Sequence, residues 1–333
     1  QATDENPVRQ AWAFVTGYAW MLPAAVAWTL MMALGVMSWR RIRTRMRYET
    51  WWAAHLYFYL AVALAFGHQL ELGTAFAGRP WVRAAWIALY AGVAGTLLWN
   101  RLLVPVARSV RHDVRVQAVV PEPGGLVSVY LTGRRLEALQ ADGGQYFQWR
   151  FMTRHWWWQA HPYSLSMAPT GSRLRITVKS TGDHSGALGS QLRPGTRVWL
   201  EGPYGVFTAG SRTGDVVTAF AAGVGITPIR AMLEELPAGT AVTLVYRVAS
   251  MAAVPLREEL EALAAAGGWR LWYLPGPRAA HPMTAGRLAP YVPRLGESDV
   301  YVCGPESFTS DVLTVAEAAG VPAVRRHVAS FSW

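Results

Sequence analysis

Gly223-Val224-Gly225-Ile226-Thr227-Pro228 follows an apolar run, Val216–Ala221 continued by Ala222, and precedes a helical pattern from Ile229 to Glu235. A strand, a glycine turn and a helix in that order make a phosphate site. Glycines let the backbone approach an anion, and the helix N-terminus offers free N–H groups and the positive end of its dipole. The motif lacks the last glycine of G-x-G-x-x-G, so a plain tight turn is the competing reading. Further along the chain the alternation continues, with Val242–Tyr246 then Leu256–Ala266, Trp269–Tyr273, and Val300–Cys303 then Ser307–Ala319. Buried-type strands alternating with helices predict a parallel α/β sheet. Cys303-Gly304-Pro305 ends a second strand at the carboxyl edge, where ligands of open α/β sheets bind.

Upstream the pattern is different. Val114–Val120, Leu126–Leu131, Gln145–Arg150, Leu174–Ser180 and Arg197–Glu201 are short runs broken by Gly and Pro turns. Their close spacing predicts a small antiparallel barrel. Within that region stands His161-Pro162-Tyr163-Ser164-Leu165, where an aromatic and a hydroxyl adjoin on one strand.

Residues 1–108 read as membrane helices. Phe14–Trp39, Trp51–Leu72 and Trp81–Val106 are each apolar and long enough to cross a bilayer, which takes about 20 residues. Pro23 is predicted to kink the first. Arg40, Arg41, Arg43, Arg45 and Arg47 follow that first segment, and Arg101, Arg108, Arg111 and Arg115 follow the third. The positive-inside rule then places both loops in the cytoplasm and the N-terminus outside. With Gln1 first and no signal-peptide pattern, an odd number of helices is expected to precede this sequence.

Composition agrees. Of 333 residues 52% are hydrophobic and 16% charged, and 17 are Trp, a residue favoured at bilayer interfaces. The net charge of +10 sits largely beside apolar segments, so anionic lipid rather than nucleic acid is the expected partner. Cys303 is the only cysteine, which excludes an intramolecular disulfide and any Cys-rich zinc or iron–sulfur site.

Val114–Trp333 resembles the ferredoxin–NADP reductase superfamily, a flavin-binding barrel followed by a pyridine-nucleotide domain. Within it the likeness is to the dehydrogenase half of the transmembrane ferric reductases and NADPH oxidases. The motifs that carry it are His161–Leu165, Glu201-Gly202-Pro203-Tyr204-Gly205, Gly223–Pro228, Cys303-Gly304-Pro305 and the terminal Phe331-Ser332-Trp333. The resemblance implies that His161, Pro162, Tyr163, Ser164 and Leu165 hold FAD. Tyr163 would lie along the isoalloxazine, and the Ser164 hydroxyl near the ring nitrogen that accepts hydride. Soluble members usually carry Arg where His161 stands; membrane members often carry His. Lys179, Ser185 and Gly186 of the Lys179–Ala187 loop are implied on the FAD pyrophosphate. Gly223, Gly225, Thr227 and Pro228 are implied on that of NADPH. Cys303, Gly304 and Pro305 are expected beside the nicotinamide. Trp333 would stack on the flavin until displaced. Arg247 stands where the family reads the ribose 2′-phosphate, and a guanidinium there favours NADPH; Arg278 is a second candidate. Ser164, Cys303 and Trp333 are the catalytic candidates.

His55 and His68 both fall in the second apolar segment, where an ionisable side chain marks a functional site. Neutral imidazole is a common axial haem ligand, and ferric reductases carry a histidine pair on the corresponding helix, which implies haem b here. At about 1.5 Å per residue the two lie roughly 20 Å apart along the axis and some 140° apart around it. The helix is therefore distorted, near Gly67, or serves haems at different azimuths. The first and third segments contain no histidine, so further ligands are expected from helices upstream or a partner chain. A plain membrane anchor is the alternative.

The expected protein is thus multidomain. Transmembrane α-helices over 1–108 precede an antiparallel β-barrel FAD domain over 109–210 and an α/β NADPH domain over 211–333. Electrons would pass from NADPH through FAD and haem b to ferric iron or dioxygen, with the dehydrogenase half on the cytoplasmic side of the cell membrane. The Arg150–Trp158 surface would face the bilayer. The competing function is a haem-free, membrane-anchored flavin reductase serving a protein acceptor.

Overall fold

The computed structural model describes residues 6–46, 48–76, 78–180 and 183–330. It divides into two compact units, Gln1–Leu98 and Trp99–Trp333.

The first unit is helical: α1 (Pro7–Gly17), α2 (Met21–Ser38), α3 (Arg40–Arg43), α4 (Tyr48–Leu72) and α5 (Pro80–Leu98). The first apolar segment is not one kinked helix. Trp20 adopts φ 64, which breaks the chain between α1 and α2. Pro23 then falls in the first turn of α2, where a missing N–H costs nothing. α4 runs unbroken through Gly67, and a Cβ there would come within 2.3 Å of the Trp20 ring. Gly67 therefore seats Trp20 and does not distort the helix. Ala27, Leu34 and Ala61 are buried, whereas α5 buries nothing. Among the described residues, two stretches are long and apolar enough to cross a membrane, Met21–Ser38 and Pro80–His112. The expected second segment, α4, falls short because His55, His68 and Gln69 lower its mean hydropathy.

The second unit opens with a π-helical turn, Trp99–Leu103, and α6 (Val104–His112). The flavin-domain strands follow: β1 (Arg115–Glu122), β2 (Leu126–Thr132), β3 (Tyr146–Phe151), β4 (His161–Ser164), β5 (Arg173–Lys179) and β6 (Val198–Tyr204), with α7 (Asp183–Gln191) between the last two. They form two antiparallel three-stranded sheets, β1-β2-β5 and β4-β3-β6, rather than a closed barrel. The sheets touch at the bridges Arg115↔Arg197 and Leu165↔Ile176, with backbone hydrogen bonds such as Val198 N to Val114 O and Ser166 N to Arg175 O, both 2.8 Å, beside them. Phe147, Trp149, Leu165, Leu174 and Ile176 fill the core between them, all at 0% exposure.

The remainder is α/β: β7 (Val216–Ala222), α8 (Ile226–Glu234), β8 (Ala241–Val248), α9 (Arg257–Gly267), β9 (Arg270–Pro275), α10 (Ala285–Leu288), β10 (Asp299–Cys303), α11 (Glu306–Ala318) and β11 (Arg326–Ala329). The five strands are parallel in the order β11-β10-β7-β8-β9. The chain leaves β7 toward β8 on one side and returns to β10 on the other, so the strand order reverses between β7 and β10. A crevice opens beyond the carboxyl ends of strands at such a point.

Candidate flavin and nucleotide site

β4 lies against β3 with Trp149 opposite His161 and Tyr146 opposite Ser164. It is an edge strand, which is why Pro162, with no N–H, is accommodated. Strand alternation puts His161 and Tyr163 on one face, with ring centroids 6.2 Å apart and planes 17° from parallel. Trp149, wholly buried, donates from Nε1 to the Tyr163 carbonyl at 2.8 Å and so pins the strand. Tyr163 is half-buried, and that burial pushes its phenol far up, so the ring is a neutral platform. Ser164 is 9% exposed, whereas Leu165 is core. The expected loop after Lys179 turns into α7, where Gly186 is exposed; the Ser185 side chain lies outside the described atoms. In the Trp triplet, Trp156 is core while Trp157 and Trp158 are exposed.

At the β7/β10 switch point a cleft of about 530 Å³ is lined by Gly223–Gly225, Arg247, Gly304-Pro305-Glu306 and, from the flavin domain, Lys179. Gly223 and Gly225 have different tasks. Gly223 has φ +57 and open space where a Cβ would stand, so its backbone faces the cleft bare. A Cβ on Gly225 would lie 2.1 Å from the Cys303 carbonyl oxygen, so this glycine lets the turn close on the end of β10. The helix starts at Ile226, three residues earlier than its sequence pattern indicates. Thr227 and Pro228 are buried in its first turn, where the Thr227 hydroxyl donates to Val224 O at 2.9 Å. The Tyr246 hydroxyl, on β8, donates to Gly223 O at 2.9 Å and holds the turn from below.

The cleft carries three cations, Lys179, Arg247 and Arg278, against one carboxylate, Glu306. The Arg247 guanidinium lies 4.6 Å over the Phe308 ring, and its buried Nη1 has no hydrogen-bond partner. Burial, and then the charge of Arg278, hold the Arg247 pKa below its ordinary value, while Asp311 pulls the other way. Arg278 is engaged by the Ser307 hydroxyl at 2.7 Å and Asp311 at 2.9 Å. An unsatisfied buried guanidinium N–H beside a glycine turn fits a phosphate oxygen.

Cys303 is behind the cleft. It is fully buried among Val217, Ala219, Ile226 and Tyr301, and burial pushes its thiol far up. Gly304, Pro305 and Glu306 are what the strand end presents. Trp333 lies outside the described residues. Tyr246 and Glu306 carry no signal in the sequence, because a lone strand hydroxyl and a lone carboxylate after a turn match no motif.

On α4 the His55 Nδ1 lies 2.8 Å from Trp51 O, an acceptor only, so Nδ1 carries the proton and Nε2 the lone pair. Ligating histidines are held in this way. That Nε2 lies 2.8 Å from the Ser38 hydroxyl. His68 is partly buried, and its Nδ1 has no hydrogen-bond partner. Among the described residues no group of three or more His, Cys, Asp or Glu gathers to hold a metal.

Three family models match the chain in succession: a ferric reductase like transmembrane component over residues 2–66, an FAD-binding domain over 113–208 and an oxidoreductase NAD-binding domain over 220–314. The chain is a homologue of the ferric-reductase-like flavin oxidoreductases. Among curated relatives of this homologue, a flavohemoprotein from Vibrio cholerae is 31% identical over 227 residues, 64% of this chain and 54% of that one. The respiratory burst oxidase homolog protein D of Arabidopsis thaliana is 22% identical over 264 residues, 66% of this chain and 28% of that one. The crystal structure of the FAD/NAD binding domain of nitric oxide dioxygenase from Vibrio cholerae matches with TM-score 0.56 and 26% identity, covering 66% of this chain and 99% of that domain. The chain thus spans about half of the flavohemoprotein.

Proposed function

We propose that this flavoprotein moves electrons from NADPH through FAD to a one-electron path in the membrane, ending on ferric iron or dioxygen. The supporting observation is the switch-point cleft, where a bare glycine turn faces an unpartnered buried Arg247 N–H. The Gly223 backbone and the α8 N-terminus would take the pyrophosphate, and Arg247 the 2′-phosphate, which makes NADPH the preferred donor. Gly304 and Pro305 would leave room for the nicotinamide, while the buried Cys303 thiol stays protonated behind them and takes no acid–base part. Tyr163 would provide the ring face for the flavin, Ser164 a hydroxyl near the hydride-accepting nitrogen, and Lys179 and the α7 segment the phosphate contacts. FAD would supply the exchange between a two-electron donor and one-electron acceptors, and haem b, with His55 and His68 each offering one axial ligand to a separate haem, would supply one-electron relays. Trp333 would cover the flavin until nicotinamide arrives.

Membrane residence is supported by aromatic ends. Exposed Trp20 and Trp39 flank α2, and exposed Trp81 and Trp99 flank the apolar run of α5. At about 1.5 Å per residue each pair is separated by roughly 27–29 Å, close to a hydrocarbon core of about 30 Å. The arginines after α2 and around α6 support a cytoplasmic dehydrogenase half. The His55 Nε2 contact with Ser38 supports the second reading, a haem-free anchored reductase, because a ligand would have to displace that hydroxyl.

The deciding experiment uses the full chain in detergent. Anaerobic NADPH should bleach the flavin absorbance and then reduce a bis-histidine haem spectrum that His55→Ala or His68→Ala removes. Flavin bleaching in a chain with no haem band would select the anchored reductase. A chain that never binds FAD would refute both.

A further inference from the structure

Arg175, in the middle of β5, is 2% exposed, yet every N–H of its guanidinium is used. Nε donates to Ser166 Oγ at 3.0 Å, and Nη2 to Ser166 O at 2.7 Å and Glu259 Oε2 at 2.9 Å. Nη1 donates to Tyr130 OH at 3.2 Å and Glu259 Oε1 at 2.6 Å. Ser166 stands two residues beyond Ser164 on the flavin motif, while Glu259 belongs to the first turn of α9 in the nucleotide domain. The fork therefore joins the two domains directly.

Glu259 also lies 2.8 Å from Nε of Arg230 on α8, the helix that the glycine turn opens. Arg230 pairs with Glu234, whose Oε2 accepts from Ala168 N at 2.7 Å, and Glu235 accepts from Gly143 N at 2.7 Å. Gly143 has no room for a Cβ, which would fall 2.2 Å from Ala231 O. Three carboxylates of the nucleotide domain thus grip backbone and side chain of the flavin domain around α8. An apolar contact of this area would hold the domains together but leave them free to slide, whereas a bidentate fork fixes distance and angle together.

We infer that Arg175, Glu259 and Arg230 are positioning residues, forming an interdomain clamp that sets the nicotinamide site at reacting distance from the flavin strand. The inference rests on the proposed dehydrogenase function. Hydride transfer needs reacting atoms about 3–3.5 Å apart, and a misplacement of about 1 Å costs on the order of 100-fold in rate. None of the three lines the cleft, so loosening them should leave nucleotide affinity nearly intact while slowing transfer.

The test compares wild type with Glu259→Gln in the full detergent-solubilised protein by rapid mixing with NADPH. Glu259→Gln should retain FAD and keep its apparent Kd for NADPH, while the saturating rate of flavin reduction falls by about tenfold or more. Reduction by dithionite, which needs no domain register, should be unchanged. A merely structural salt bridge predicts a lower melting temperature with an unaltered saturating rate, and that result overturns the inference. If Glu259→Gln loses its FAD, Glu259→Asp takes its place, since it keeps the charge beside both arginines and only shortens the reach of the fork. A reduced saturating rate there supports the clamp, and an unchanged one overturns it. Failure of the underlying function looks different: wild type would hold FAD and still not be reduced by NADPH, and the clamp would fall with it.

Discussion

Gly225→Ala tests whether the two strand-end motifs must touch. The new Cβ would stand 2.1 Å from Cys303 O, 2.5 Å from Cys303 C and 3.0 Å from Gly304 N, all of them backbone atoms at the end of a buried strand. No rotamer can relieve this. Since carbon contacts settle at about 3.5 Å, the turn must withdraw from β10 by roughly 1 Å. Overpacking of this kind costs about 1–3 kcal/mol. At about 2–4 °C per kcal/mol for a unit of this size, the melting temperature should fall by roughly 2–12 °C. The same withdrawal widens the cleft between pyrophosphate turn and nicotinamide site, so kcat for NADPH oxidation should fall by on the order of 10–100-fold with FAD retained. Gly223→Ala is the matched control. Its Cβ meets nothing, so it carries only the left-handed backbone cost of about 1–2 kcal/mol. It should raise KM more than it lowers kcat, because the methyl projects where a phosphate would sit. Melting curves of the FAD-loaded protein and steady-state rates with an artificial one-electron acceptor read both effects. A Gly225→Ala protein matching wild type in melting temperature and kcat refutes the reasoning.

Other substitutions follow from the same geometry. Arg247→Gln should raise KM for NADPH by about 10–100-fold, the worth of one or two charge-assisted hydrogen bonds, and leave KM for NADH nearly unchanged; equal losses for both nucleotides would remove the 2′-phosphate role. Asp299 is wholly buried and accepts from Thr213 N, Gly214 N and His327 Nε2, at the end of β10 remote from the cleft. Asp299→Asn should cost roughly 1.5–3 kcal/mol in urea unfolding and leave the rate of flavin reduction intact. Burial would raise the Glu259 carboxyl, but its hydrogen bonds with Arg175 and the charges of Arg175 and Arg230 outweigh it and hold the group below its ordinary 4.5. A depressed carboxyl stabilises above its unfolded value, and the benefit is lost as pH falls through the folded one. Acid unfolding should therefore steepen below about pH 4.5 in wild type and flatten in Glu259→Gln.

Local pattern was enough for much of this protein. Alternating strands and helices determined a parallel sheet from Val216 onward, because a strand buried on both faces is apolar throughout and the turn after it has to be Gly-rich. His161–Leu165 and Gly223–Pro228 were visible because each packs its chemistry into a few consecutive residues. Boundaries were less secure. The break at Trp20 was invisible because Pro23 was the more conspicuous helix breaker, and only the packing of Trp20 on Gly67 shows where the chain turns. The closed barrel was not borne out, because whether two sheets join is set by pairing between strands that are distant in sequence.

The sequence by itself determined the order of domains and the two ligand motifs, both of which are local in the chain. Tertiary structure alone decided how they meet. It turned Cys303 into the core, set Gly225 against its carbonyl, and brought Arg247 into the cleft. It also joined Arg175 to Glu259 across 84 positions of sequence. A buried charge requires a partner in space, and no spacing rule along the chain can name that partner.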